Sequence, residues 1–264
     1  MKRKRRLTLN LLIPAIIMAG LLCCPHKGLT KDTLLVYSGA GMRKPMDKIA
    51  VAFEKNYGVA VTYNYAGSNT LLSQIALTKK GDCYMPGATL YIEKAKEKGF
   101  IDYQRPVAYH IPIIAVPKGN PAKIKSLADL TKPGIRIILG DSKVAACGKI
   151  AKKILEKNKL YNEVEKNVVA YTATANELVV YVCMGQADAI INWKASMLGT
   201  ETKADIVEIP KEQNCIKVIP IGRLTFSQNK KKSKEFVDFV TSSQGTTLFE
   251  NCGFTGYPNP KYGK

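Results

Sequence analysis

Four times in this chain, a short apolar segment runs into a loop of small residues and then into a helical pattern. The first unit has an apolar strand at residues 34–37, the loop Ser38-Gly39-Ala40-Gly41, and apolar residues at helical spacing over residues 46–53. The other three units begin with strands predicted at residues 59–65, 135–139 and 168–171. Alternating strands and helices with short loops are typical of mostly parallel sheets covered by helices, so the repeats predict an α/β fold.

The small-residue loops are the candidate ligand site. Ligands of open α/β sheets bind beyond the carboxyl ends of the strands. The first N–H groups of a helix after such a loop are unpaired and carry the positive end of the helix dipole, which suits an anion. The loops lack the GxGxxG and GK[ST] patterns, so a nucleotide phosphate is not indicated. Small residues also permit a tight turn without any ligand, and that alternative stays open for each loop alone.

The second loop adds hydroxyl groups. Ser68 and Thr70 precede the helical pattern that begins near Leu71. Both residue types are favoured as N-caps, and both hydroxyls can donate a hydrogen bond to an anion. Capping and ligand binding are therefore both open for Ser68 and Thr70.

Two β-rich segments divide the four units into pairs. Residues 103–119 and 216–225 each predict a strand that crosses between lobes, and prolines place parts of the first segment at an edge or crossover. We therefore predict one lobe from residues 34–111 and 224–264 and a second lobe from residues 112–223, with the two crossover strands as the hinge. Two small-residue loops from each lobe would then face each other across one cleft.

The N-terminus has the pattern of an export signal. A basic run at residues 2–6 precedes an apolar stretch at residues 7–22. We predict a leader over residues 1–24 and a polar tether over residues 25–33. Leu21-Leu22-Cys23-Cys24 resembles a bacterial lipobox, which implies lipidation of Cys24 and a place in the periplasm or at the outer face of the cytoplasmic membrane. An uncleaved anchor is the alternative, and the short span and Pro14 argue against it.

Charge and cysteine content exclude several classes of protein. The net charge of +19 would suit a nucleic acid, but the lysines form short scattered runs without interleaved aromatics. We therefore predict a field that attracts anions and no nucleic-acid binding. Seven cysteines without a CxxC pair, and two histidines, argue against zinc. Five cysteines follow the leader, so at least one thiol is expected to be free unless it pairs between chains.

Residues 32–256 resemble the type II periplasmic solute-binding proteins, and among them the molybdate- and tungstate-binding subunits of ABC importers. The resemblance is carried by the first two units, by the GDxYxPG stretch at Gly81, by SLADLTKPGIRIILGDSKVAACGKIAKKIL and by TANELVVYVCMGQADAIINW. It implies the two-lobed type II periplasmic binding protein fold. It also implies a monomer that binds an oxyanion and delivers it to a membrane permease with its ATPase, without a cofactor and without catalysis.

The resemblance also implies a set of ligand residues, since this family holds its oxyanion with serine hydroxyls and main-chain N–H groups from both lobes. Gly41 falls where the first family loop often has a serine, and Trp193 where a tyrosine commonly donates its phenol. Both hydroxyls are absent here. The predicted oxyanion-binding residues are Ser38, Gly41, Ser68, Cys147, Ala175 and Trp193, with Ala40, Asn69 and Asn176 beside them. No protein side chain is expected to coordinate a metal directly.

The chemistry of the ligand fits such a donor set. Molybdate, tungstate and sulfate are dianions near neutral pH, and hydrogen bonds to charged groups contribute about 1.5–3 kcal/mol each. Phosphate carries a proton and needs an acceptor, and Asp141 is the only acid identified in the matching loops.

Three alternatives to a molybdate or tungstate trap remain. The first is another oxyanion such as sulfate or phosphate, and the second is a sensor ectodomain on the same fold. The third is an enzyme that uses Cys147, whose pKa a helix N-terminus would lower. His110 lies in the predicted crossover and is a poor partner for that thiol.

Overall fold

The computed structural model describes residues 32–262. The predicted leader, the lipidation site Cys24 and residues 25–31 of the predicted tether lie outside this range. Within it, no helix combines the length and the apolar character needed to cross a membrane. The five cysteines of this part of the chain are all free.

Strands and helices alternate along most of the described chain. The strands are β1 (Thr33–Gly39), β2 (Ala60–Ala66), β3 (Cys83–Met85), β4 (Ile101–His110), β5 (Pro112–Pro117), β6 (Ile137–Gly140), β7 (Val168–Thr172), β8 (Ala189–Trp193), β9 (Ala204–Glu208), β10 (Lys217–Leu224) and β11 (Thr255–Gly256). The α-helices are α1 (Arg43–Tyr57), α2 (Ser68–Thr78), α3 (Thr89–Glu97), α4 (Ala146–Lys157), α5 (Tyr161–Glu165), α6 (Ala175–Cys183), α7 (Lys230–Val240) and α8 (Ser243–Glu250). Short 3-10 helices cover Ala40–Met42, Ala128–Thr131 and Lys194–Met197.

Two sheets form the two lobes. The first has the order β11-β4-β10-β3-β1-β2 and the second has the order β7-β6-β8-β5-β9. The α/β, two-lobed architecture predicted from the sequence is confirmed. The sheets are mixed rather than mostly parallel, because the strands that cross between lobes pair antiparallel with their neighbours. The parallel pairs are β1 with β2 and β3, and β6 with β7 and β8.

The boundaries of the lobes differ from the prediction at two points. β10 pairs with β3 and β4, so residues 217–223, which were assigned to the second lobe, lie in the first sheet. Thr33, assigned to the tether, is the first residue of β1. The reason at β10 is that an apolar crossover strand carries no signal for the residue at which it changes its hydrogen-bonding partner.

The apolar face of α1 is buried, as the sequence pattern predicts. Met46, Ile49 and Phe53 are buried, and Phe53 packs edge-to-face on Phe236 of α7 with ring centroids 5.0 Å apart. The helices after the last crossover therefore cover the first sheet. This packing fixes α1 relative to β1, and so fixes the loop between them.

The second sheet meets its covering helix at two glycines. A Cβ added at Gly148 of α4 would lie 2.2 Å from the carbonyl oxygen of Gly140, the last residue of β6. Only glycine allows this approach of helix to strand. The loop from β6 to α4 is thereby held against the carboxyl end of the sheet.

We expect Gly148→Ala to lower the free energy of unfolding by about 2 kcal/mol or more, because the added methyl group overlaps a backbone oxygen that cannot rotate away. Gly41→Ala is the matched control, since a Cβ at Gly41 meets nothing within 4 Å. Urea unfolding of both variants measures the difference. Equal stability of the two variants would contradict the close approach.

Candidate functional site

The parallel registers bring the small-residue loops together at the carboxyl edge of each sheet. Ser38 at the end of β1 lies opposite Tyr65 of β2 and Met85 of β3. In the second sheet, Gly140 at the end of β6 lies opposite Thr172 at the end of β7. The loops that follow these strands are therefore neighbours within each lobe.

Three loops of the first lobe converge. A Cβ at Gly39 would lie 3.4 Å from the amide nitrogen of Gly87, and one at Gly87 would lie 3.7 Å from the Oγ of Ser68. The Gly87 N–H donates to this Oγ at 3.0 Å, and the Tyr84 hydroxyl donates to the Ser68 carbonyl at 2.7 Å. The loop after β3 thus belongs to the same cluster as the loops after β1 and β2.

Ser68 does not cap its own helix. Gly67 is the N-cap residue of α2, and no side chain caps this terminus. Because the Ser68 Oγ accepts its hydrogen bond from Gly87, its hydroxyl proton remains available to donate elsewhere. Plain capping is therefore excluded for Ser68, and Thr70 lies inside the helix rather than at its cap.

The hydroxyl of Ser38, unlike that of Ser68, is inaccessible to solvent. Ser38 is fully buried, and its Oγ has no hydrogen-bond partner. A buried hydroxyl without a partner costs about 1–3 kcal/mol. Solvent does not reach it in this conformation, so Ser68, which is half-buried, presents the accessible hydroxyl of this lobe.

The helix N-termini at this edge fall into two groups. The N-cap residues of α1, α2, α3 and α4 make no side-chain cap. The Arg43 N–H at the start of α1 donates to the Ala40 carbonyl, and the N–H groups of Cys147 and Gly148 donate to the Cys147 sulfur. At α6, by contrast, the Thr174 hydroxyl accepts from the Glu177 N–H at 3.2 Å. The Glu177 carboxylate accepts in return from Ala173 N–H and from the Thr174 hydroxyl, both at 3.0 Å, which completes a capping box.

Two carboxylates therefore lie in the second lobe's loops. Asp141 accepts from the Lys143 N–H at 2.7 Å and so shapes its own loop. Glu177, which the sequence interpretation did not count among the loop acids, is the second. Glu177 lies on α6, as the sequence predicts, but its carboxylate folds back onto the loop before the helix, so a second carboxylate reaches the loops in which Asp141 is the only acid of the chain itself.

Cys147 is buried where α4 meets β6. A Cβ at Gly140 would lie 2.7 Å from its Sγ. Burial raises the pKa of the Cys147 thiol, and the nearby Glu177 carboxylate adds to this, while backbone hydrogen bonds act in the opposite direction. The lowered pKa that the enzyme alternative required is therefore wrong, and the buried neutral thiol is a poor nucleophile.

His110 and Trp193 meet between the lobes. His110 ends β4 and Trp193 ends β8, and their rings stack with centroids 3.6 Å apart and an interplanar angle of 21°. The imidazole also hydrogen-bonds to the backbone of Gly87. Burial lowers the pKa of His110 to about 4, and the bond to Gly87 only partly offsets this.

The remaining predicted ligand residues lie at the same edges. Ala40, Gly41 and Asn69 are exposed in the first lobe. In the second lobe Ala175 is half-buried and Asn176 is exposed at the start of α6. Trp193 is buried under the imidazole. The predicted residues therefore lie at the loop edges of both sheets, some in each lobe.

The sequence interpretation missed two residues of this cluster. Gly87 entered the sequence interpretation only as the last residue of the GDxYxPG stretch, and His110 only as a residue of the crossover. The proline and glycine after β3 were the available signal for Gly87, since they end the strand and start a loop at the same edge as Ser68. No local pattern indicates that His110 contacts Trp193, because the two lie 83 positions apart in the chain.

Arg43 lies at the rim of the first lobe. It is the first residue of α1, and its guanidinium carbon lies 4.1 Å from the centroid of the Tyr65 ring. The Tyr65 hydroxyl donates to Asp47 at 2.7 Å. This exposed cation sits beside the first loop and adds to the positive field there.

Two surface cavities are lined by other residues. The first, of about 220 Å³, is lined by residues that include Ile111 and Tyr262, and the second, of about 310 Å³, by residues that include Lys118 and Leu198. Neither is lined by a predicted ligand residue. Among residues 32–262, no three His, Cys, Asp or Glu side chains come together as a metal site would require.

We expect the stability of the protein to rise with pH between about 4 and 6.5 through His110. In this window the unfolded chain, with an ordinary imidazole pKa, binds a proton that the folded chain does not, so acid favours unfolding. The slope is at most about 1.4 kcal/mol per pH unit. Urea unfolding of the wild type and of His110→Gln across this range measures it. Parallel curves for the two proteins would contradict the low pKa.

The fold and the sequence agree with those of known binding proteins. A putative binding protein of Haemophilus influenzae is 30% identical over 84% of this chain and 90% of its own length. The molybdate-binding protein ModA of Mycobacterium bovis is 25% identical over 92% of this chain and 95% of its own length. The substrate-binding domain of a putative molybdenum ABC transporter from Clostridium difficile matches with a TM-score of 0.74 at 21% identity, covering 84% of this chain and 98% of that domain.

The family model for bacterial extracellular solute-binding proteins matches residues 34–255, which include both sheets and both clusters of loops. Proteins of this kind bind a solute and catalyse no reaction. The chain therefore belongs to the family of bacterial extracellular solute-binding proteins.

Proposed function

We propose that this protein captures a tetrahedral metal oxyanion, molybdate or tungstate, between its lobes and delivers it to an ABC permease with its ATPase. The observation that carries the proposal is that helix N-termini without a side-chain cap lie at the loop edge of each sheet. In the first lobe α2 starts at Ser68 itself and α1 follows the loop after β1, and in the second lobe α4 follows the loop after β6. Such donors suit a fully ionised dianion.

The donor set also bears on which anion is bound. Ser68 donates a hydroxyl proton and the helix termini donate N–H groups, so a dianion without a proton meets donors only. A protonated phosphate would need an acceptor, and the two loop carboxylates are already engaged with backbone groups of their own loops. The 25% identical relative is named for molybdate binding, which supports the same ligand class.

The proposed ligand residues are Ser38, Gly41, Ser68, Cys147, Ala175 and Trp193, as in the sequence interpretation. The structure favours backbone donors for most of them. Gly41 has no side chain and Ala175 has no polar one, so each offers only its N–H group. The Cys147 thiol is buried against Gly140, so we propose that its loop contributes N–H groups rather than sulfur.

The place of action is also part of the proposal. The basic and apolar pattern at residues 1–22 and the lipobox-like cysteines support export and lipidation of Cys24. A chain held in this way at the outer face of the membrane stays close to its permease. We propose that the lobes close around the anion by a hinge motion at the two connections between the sheets.

We expect molybdate and tungstate to raise the unfolding midpoint of the purified protein, with sulfate, phosphate and chloride at matched ionic strength as comparisons. An anion at about a hundred times its Kd adds roughly 2.7 kcal/mol to the free energy of unfolding. A rise with sulfate alone would keep the binding function and overturn the metal oxyanion. No rise with any of these anions would overturn the oxyanion proposal.

We expect Ser68→Ala to weaken binding of the anion about tenfold to a hundredfold, because a hydrogen bond to a charged group contributes about 1.5–3 kcal/mol. Ser73→Ala is the matched control, since Ser73 is exposed on the same helix. Isothermal titration calorimetry with molybdate measures both Kd values. Equal affinity of the two variants would exclude Ser68 from the site.

We expect Glu177→Gln to tighten anion binding severalfold at low salt. Glutamine can keep the capping box of α6 while the negative charge beside the site is removed. The gain is expected to shrink as salt screens the repulsion. Glu163→Gln, on α5, is the control variant, and a Kd unchanged in Glu177→Gln at low salt would place the carboxylate too far from the anion to act on it.

A further inference from the structure

His110 is in contact with both lobes. β4 pairs antiparallel with β10, and β10 pairs antiparallel with β3, so β4 runs in the same direction as β3 and ends at the same edge. His110 is its last residue. Its ring stacks on Trp193 of the second lobe and lies 6.0 Å, between ring centroids, from Phe254.

On the first-lobe side, a short relay joins His110 to Ser68. The Gly87 N–H is donated to the Ser68 Oγ at 3.0 Å. The remaining backbone group of Gly87 is its carbonyl, and this accepts the N–H of the imidazole. His110 thus restrains Gly87 at its carbonyl, one Cα away from the N–H that holds the oxygen of Ser68, and through this residue it limits the direction left for the hydroxyl proton.

On the second-lobe side, the relay continues to the start of α6. The backbone N–H of Trp193 donates to the Oδ1 of Asn192 at 2.8 Å. The Nδ2 of this buried asparagine donates to the Ala175 carbonyl at 3.0 Å. The stacked rings of His110 and Trp193 form the contact in this series that joins the two lobes.

We propose that His110 is a positioning residue, which orients the Ser68 hydroxyl through Gly87 while its ring rests on Trp193 of the second lobe. His110 does not touch the anion itself. The inference rests on the proposed function, because it describes how two halves of that same site are held in register. A neutral imidazole serves this role, since its single N–H is used by Gly87 and its face is used by the indole.

Two substitutions separate the hydrogen bond from the stack. His110→Phe keeps an aromatic ring against Trp193 but has no donor for Gly87. His110→Gln supplies an amide N–H donor but no ring. We expect the phenylalanine variant to weaken molybdate binding five- to twentyfold and the glutamine variant to remain within about threefold of the wild type.

A double-mutant cycle tests whether His110 acts through Ser68. Molybdate Kd values are measured by calorimetry for the wild type, His110→Phe, Ser68→Ala and the double variant. If His110 works by orienting the hydroxyl, His110→Phe changes the Kd less than twofold once Ser68 is alanine. Losses that multiply in the double variant would overturn the proposal.

A second measurement needs no ligand. The exchange rate of the Gly87 amide is followed by NMR in the wild type and in both His110 variants. We expect faster exchange in His110→Phe and near wild-type exchange in His110→Gln. Equal rates in all three would overturn the relay. If the wild type binds none of the anions, the proposed function fails, and the exchange rates still decide whether His110 holds Gly87.

The wild type alone gives a third readout if His110→Phe does not fold. The sequence has only two histidines, so ring-labelled protein gives two imidazole signals, and the one missing in His110→Gln belongs to His110. We expect a single neutral tautomer for His110 whose bonded N–H shifts when molybdate saturates the protein. Mixed tautomers, or an unchanged signal on saturation, would overturn the proposal.

Discussion

The parallel pairing of β1 with β2 and β3 is the interaction on which the site depends. It aligns the carboxyl ends of the three strands, so three loops lie side by side and the three helices α1, α2 and α3 start after them. The second lobe repeats the arrangement with β6, β7 and β8. In each lobe, helix N-termini without a side-chain cap lie at this edge, so backbone N–H groups are available there as donors.

Such a surface has a physical advantage for a dianion. A lysine or arginine buried against the ligand would lose its own hydration, and this loss offsets much of the attraction. N–H dipoles held by a helix are already oriented and carry no net charge to desolvate. The positive charge of the protein is instead carried by exposed side chains such as Arg43, where it attracts anions from a distance without being buried.

The sequence predicted the parts of this arrangement that are local. The period of apolar residues located β1 and α1, because such signals lie within a few positions of each other. The same kind of pattern predicted α2 from near Leu71, and the helix begins slightly earlier, at Ser68. The sequence did not place β9, whose five residues show weak alternation, or the entry of β10 into the first sheet. The same limit applies to the site, where Ser68 was found from its own loop but its partner Gly87 depends on contacts across 19 positions.

The contact between the lobes, like the proposed site, uses uncharged groups. An ion pair between β4 and β8 would place charges near the proposed ligand and would have to be desolvated when the lobes close. A neutral imidazole stacked on an indole avoids both costs. The orientation of the imidazole is still fixed, because one ring N–H is hydrogen-bonded to Gly87. Because the pKa of His110 lies near 4, the ring keeps this neutral form over the physiological pH range. The contact between the lobes is thereby made by ring packing and one oriented hydrogen bond, neither of which introduces a charge. The charge of the proposed anion is then balanced by the N–H groups of the helix termini.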